Sequence, residues 1–103
     1  MASAARTATA NGTAFDTADV DEITGTCTVS AASGTDPTLD VILQTTADGT
    51  NYYTADSFTQ KTTTGTEAKV FTGLGSLSRW RWTIGGTDTP TFTFAIAATF
   101  EKN

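Results

Sequence analysis

Few side chains in this sequence could do chemistry, and most of those are acidic. Asp16, Asp19, Asp21 and Glu22 form the one cluster with cation-ligand character. A calcium loop of the EF-hand type alternates its ligands, turns at a glycine and closes on a distal glutamate. This stretch has neither the turn nor the closing residue, so it reads as a solvated acidic loop. Glycoside hydrolysis would need two carboxylates flanking the scissile bond, one of them with a raised pKa. The carboxylates here lie mostly in turn-like segments, where water keeps them ordinary acids. Cys27 is the only cysteine and histidine is absent, which removes an internal disulfide, a thiolate metal cluster and a Cys/His nucleophile pair. The small apolar neighbours of Cys27 predict a buried, inert thiol. The sequence contains no phosphate-binding glycine loop, nucleophile elbow or zinc signature. The expectation is a non-enzymatic protein with no catalytic residues, no cofactor and no metal.

Two groups of residues could bind rather than react. Tyr52, Tyr53, Trp80 and Trp82 could offer flat faces to sugar rings, because an aromatic ring covers apolar C–H groups efficiently. Alternation along the strand sends both tryptophans to the core and turns one of the adjacent tyrosines outward. Tyr52 and Tyr53 therefore remain as candidate sugar-stacking residues of a carbohydrate-binding module. Arg79 and Arg81 share the face opposite the tryptophans. They read either as a solvated strand surface that discourages edge pairing or as anchors for a partner's carboxylates through bidentate hydrogen bonds. Asn11-Gly12-Thr13 matches a glycosylation acceptor by pattern, but without an export signal it reads as a turn.

These residues must be positioned by strands. Trp80, Trp82 and Ile84 alternate with Arg79, Arg81 and Thr83, and Phe92, Phe94, Ile96, Ala98 and Phe100 alternate with polar or small residues. Such two-residue periodicity gives each segment one dry and one wet face. Gly85-Gly86-Thr87-Asp88-Thr89 between them has the composition of a tight reversal, which predicts an antiparallel hairpin. Thr38 to Thr46 supplies a central strand with Leu39, Val41 and Leu43 inward. It turns at Ala47-Asp48-Gly49-Thr50 into a second hairpin running from Asn51 to Phe58. Glu67 to Thr72 and Glu22 to Ala31 complete the strands, the latter with Ile23, Cys27 and Val29 on one face. Val70 and Phe100 are expected in the core. One echo stands out: Gly34-Thr35-Asp36-Pro37-Thr38 resembles Gly86-Thr87-Asp88-Thr89-Pro90-Thr91, each leading into a strand of alternating apolar residues. It reads as two independent uses of one turn chemistry or as two related strand entries in a pseudo-symmetric sandwich.

The composition agrees with this architecture. Twenty-five of 103 residues are threonine, whose β-branched side chain suits a pleated, half-wet surface. No segment carries sustained helical spacing. The expected fold is all-β: an antiparallel two-sheet β-sandwich, jelly-roll or Ig-like, of six to eight short strands with no long helix. Residues 1–15 are expected as an N-terminal arm or edge strand and residues 16–103 as the single β-sandwich domain. A net charge of −5 with only six Lys and Arg argues against nucleic acid as a partner. No run of about 20 apolar residues suits a membrane span. Met1 to Ala10 lacks the apolar centre of a signal peptide, so synthesis in the host cytoplasm without export is expected.

The order of features is also familiar. The segment Gly34 to Gln44, the turn Asp48-Gly49-Thr50, Ser57-Phe58-Thr59-Gln60, Phe71-Thr72-Gly73-Leu74, the strand Arg79 to Ile84 and the run Gly86 to Ile96 occur together. This set resembles small β-sandwich virion structural proteins of tailed bacteriophages. The resemblance implies a capsid decoration or cement protein on the head exterior, bridging capsomers, with the major capsid protein as partner and neighbouring copies or a homo-oligomer on the shell. A neck or tail accessory protein is the nearby alternative. Candidate partner-binding residues are Ala4, Arg6, Thr7 and Phe15 of an arm that orders on the partner by strand addition, together with Arg79 and Arg81.

Overall fold

A computed structural model describes residues 1–102. It is all-β, with seven strands and no helix among those residues: β1 Ala4–Arg6, β2 Ala10–Asn11, β3 Phe15–Asp16, β4 Glu22–Thr46, β5 Tyr52–Ser57, β6 Gly65–Phe71 and β7 Leu77–Glu101. Two of these, β4 and β7, are not short. Each has 25 residues. At about 3.3 Å per residue, a straight strand of that length would span roughly 80 Å, yet the longest dimension of the molecule is 43 Å. Both strands must therefore bend sharply. They bend together, because they pair antiparallel from Glu22↔Glu101 to Thr46↔Leu77, with register shifts between Val29 and Thr38.

The bend divides one hydrogen-bonded antiparallel sheet into two wings. In the first wing, β6 flanks the start of β4 (Ile23↔Phe71 to Val29↔Gly65) and β1 flanks the end of β7 (Ala4↔Phe94 to Arg6↔Phe92). In the second, β5 flanks the end of β4 and the short β2 and β3 flank the start of β7. Period-two alternation then aims Ile23, Cys27, Val29, Leu39, Val41, Leu43, Trp80, Trp82, Phe92, Phe94 and Ile96 into one buried cluster with Phe58 and Phe71. Side chains of the two wings touch there. Trp80 packs edge-on to Phe71 at 5.4 Å between ring centroids, and Trp82 packs edge-on to Phe94 at 5.8 Å. Gly25 leaves room for this approach, since a Cβ there would lie 3.1 Å from the Trp80 ring. At the end of the second wing, the buried hydroxyls of Thr17, Ser78 and Thr45 hydrogen-bond in a chain, Thr17 to Ser78 at 2.9 Å and Ser78 to Thr45 at 3.0 Å. The polar burial is thereby compensated.

Three expectations are corrected. Ser78–Ile84 and Pro90–Phe100 do not form a hairpin with each other. Gly85 to Thr89 lies inside the continuous strand β7, and both flanking segments pair with β4 instead. Val70 is 49% exposed and Phe100 is 40% exposed, so neither is core. Val70 points outward because its neighbour Phe71 takes the inward position, and Phe100 lies at the end of the long ladder, stacked on Phe15.

The expected hairpin between β4 and β5 is present, and its turn is built around Asp48. The Asp48 carboxylate accepts hydrogen bonds from the backbone N–H of Asn51 and of Thr50, from the Asn51 amide and from the Thr46 hydroxyl. The backbone donors contribute most, and together these bonds hold the carboxyl well below the usual carboxylate range. A depressed folded-state pKa stabilises the fold above the ordinary carboxylate pKa and stops doing so as the pH falls. Acid titration of the urea midpoint should therefore show wild type losing stability below about pH 5, with a shallower loss for Asp48→Asn. Parallel acid profiles would remove Asp48 as a contributor.

Candidate functional site

The outward face of the second wing gathers the residues best suited to contact. Period-two alternation that buries Trp80 and Trp82 turns Arg79 and Arg81 to the other side, about 7 Å apart along β7. Register fixes their neighbours: Gln44 lies opposite Arg79, Ile42 opposite Arg81 on one flank, and Asn11 opposite Arg81 on the other. Arg79 Nε donates to Gln44 Oε1 at 2.9 Å, and its guanidinium sits 3.8 Å from the Tyr52 ring centroid. Arg81 Nη1 donates to Asn11 Oδ1 at 2.8 Å. Both side chains are half-buried. Among the described residues, the ion pairs are Lys61–Glu67 and Lys69–Asp56, so neither arginine is neutralised by a carboxylate of its own chain. Two guanidinium forks, each held by a neutral amide that leaves other N–H groups available, suit bidentate recognition of carboxylates.

The other candidates are placed differently. Ala4 is exposed on β1, and Thr7 is exposed between β1 and β2. Arg6 turns back onto the protein, with its guanidinium 5.0 Å from the Trp82 ring centroid and 4.6 Å from that of Phe94. It donates to the carbonyls of Ala4 and Phe94 at 2.9 Å and of Ala2 at 3.2 Å. Burial pushes its pKa down, but a guanidinium stays protonated in proteins, so Arg6 clamps β1 in place. Phe15 packs against Trp80 and Phe100. Of the two expectations for residues 1–15, a partner-binding arm or an edge strand, the structure shows the second: β1, β2 and β3 all pair along β7. Tyr53 is half exposed, with its hydroxyl 3.4 Å from the Gly73 carbonyl, while Tyr52 has one ring face covered by Arg79. The two tyrosines do not make a shared platform.

Cys27 is fully buried, and desolvation pushes its thiol up. No group of three or more potential metal ligands occurs among the described residues. A groove of about 450 Å³ is lined mainly by Met1, Phe15, Trp80 and Phe100 and holds no acidic or basic side chain. The outward face of the first wing is different in kind. Across three paired rows it presents Val70, Thr24 and Thr99, then Ala68, Thr26 and Ala97, then Thr66, Thr28 and Ala95, with no charge. Sequence reasoning identified both arginines but missed Gln44 and Asn11, which hold them. The strand register that creates those contacts has no local signature, because Asn11 and Arg81 lie 70 residues apart. No family model matches the chain, and no curated protein or solved structure matches it significantly.

Proposed function

We propose that the chain is a virion structural protein of the capsid decoration type, acting by contact and not by catalysis, with the major capsid protein as its partner. The sequence resemblance supports this reading. So does the arginine-bearing outer face of the second wing, the single observation that carries the choice of contact surface. In a chain of net charge −5, two adjacent arginines without carboxylate partners favour an acidic protein surface over nucleic acid. The packing of the wings supports reading the bent sheet as the two layers of a β-sandwich. Bridging many capsomers would let weak single contacts add through multivalency. Particle-dependent binding is therefore expected to exceed binding to an isolated subunit.

The test is co-sedimentation with the phage particles whose genome encodes the chain. Reversing both charges (Arg79→Glu with Arg81→Glu) should reduce particle binding by about 10-fold or more, since truncating desolvated charge pairs at interfaces costs about 2–5 kcal/mol. The variant should keep its far-UV circular dichroism. Undiminished binding by the folded double variant would reject this face, and absence of binding by wild type would reject the decoration reading.

A further inference from the structure

The echo between Gly34-Thr35-Asp36-Pro37 and Gly86-Thr87-Asp88-Thr89-Pro90 has a structural counterpart. Thr35 pairs with Thr87 at the centre of the bend. The flanking conformations match: φ is 109° at Gly34 and 119° at Gly86, then 48° at Asp36 and 59° at Asp88. After each proline the inward residues correspond, with Leu39, Val41 and Leu43 in β4 matching Phe92, Phe94 and Ile96 in β7. All six are at most 1% exposed.

The correspondence extends to the edge strands. Lys61 lies opposite Leu39 as Arg6 lies opposite Phe92, and Gly65 lies opposite Val29 as Ala10 lies opposite Trp82. Lys61 and Arg6 even share a task, since each places its cation over an aromatic ring of the core. Each half of the chain is thus a set of short edge segments followed by one 25-residue strand: β1, β2 and β3 before β4 in the first half, and β5, the Lys61 bridge and β6 before β7 in the second.

The pairings between these elements all run from one half to the other. β1, β2 and β3 pair with β7, while β5 and β6 pair with β4, and β4 pairs with β7. Among the described residues, neither half contains a ladder between two of its own strands. The halves are joined through residues 47–51, all exposed. We infer that the fold is two interlocked copies of one unit, and that the surface each half presents to the other fits the same half of a second copy of this chain. With the turn open, two chains exchange halves and rebuild the same core twice.

In wild type the turn capped by Asp48 keeps the pairing within one chain, because an intramolecular partner is present at a high effective concentration. Removing the turn removes that advantage. Deleting residues 47–51 joins Thr46 directly to Tyr52, which now face each other across the ladder. Such a chain has no residues left to reverse direction. The expected product is a folded dimer, with twice the monomer mass by light scattering and the circular dichroism of wild type. A folded monomer or an unfolded chain would overturn the inference.

A second measurement uses the intact turn, with a protease recognition sequence inserted between Gly49 and Thr50. After cleavage the two fragments should co-elute as one 1:1 particle and should reassemble after denaturation and mixing. Neither fragment should fold alone. Fragments that part in native buffer, or that fold separately, would overturn it. Neither experiment involves a capsid, so the outcome is independent of the proposed function.

Discussion

Replacing Trp80 with alanine should destabilise the protein by about 3–5 kcal/mol, the range for removing a large aromatic from a packed core. Trp80 is 4% exposed. It stacks on Phe58 at 5.8 Å, meets Phe71 edge-on at 5.4 Å, and lies 6.4 Å from Phe15. Those partners come from the β5–β6 connection, β6 and β3, so one indole ties together three edges of the sheet. The closeness of its ring to Gly25 means that no side chain from the opposite wing can move in cheaply to fill the space. With a urea m-value of about 1–3 kcal/mol per M for a small domain, the midpoint should fall by roughly 2 M. Val70→Ala provides the comparison. Val70 is apolar but outward-facing, and its truncation should stay within about 0.5 kcal/mol. Equal costs at the two positions would mean that the wings do not share a dry interior.

The contrast between those positions shows what could be read in advance. Alternation identified Trp80, Trp82, Leu39, Val41, Leu43, Phe92, Phe94 and Ile96 as core, because side-chain direction along a strand is a local property with a period of two. It failed at Val70, where Val70-Phe71 offers two adjacent apolar residues and only the partner strand decides which turns inward. It failed at Phe100 because burial there depends on how far the opposite wing extends. The segment Gly85 to Thr89 departs from the expected reversal for a related reason. Glycine and aspartate report positive φ, and those conformations are present at Gly86, Asp88 and Thr89. A positive φ can serve a reversal or a bend within a strand, and the choice between them is made by β4, whose Thr35 and Thr38 lie opposite Thr87 and Gly85. The arginine face was half legible. Period two placed Arg79 and Arg81 together, but Gln44, Asn11 and the covering of Tyr52 follow from register alone.

The bend itself should be sensitive to added volume, and Gly34→Ala and Gly86→Ala should show it. A Cβ at Gly34 would lie 2.8 Å from Pro90 Cα and 3.1 Å from the Thr87 carbonyl oxygen; at Gly86 it would lie 2.9 Å from the Asp36 carbonyl oxygen and 3.0 Å from Pro37 Cα. These neighbours are backbone atoms, which cannot swing aside as a flexible side chain would. Each substitution also places an L side chain at a φ beyond +100°. Strain of about 1–3 kcal/mol from the dihedral and about 1–3 kcal/mol from overpacking should act together, giving a loss of several kcal/mol. Gly65→Ala is the control, since a Cβ there meets nothing within 4 Å and φ is not positive. It should be neutral or slightly stabilising. Two features follow from the reciprocal geometry around Thr35↔Thr87. The two single substitutions should cost similar amounts, and the double variant should cost less than their sum, because a corner already opened by one methyl group accommodates the other. Strict additivity in urea titrations, or a large cost at only one of the two glycines, would show that the corner does not behave as one symmetric joint.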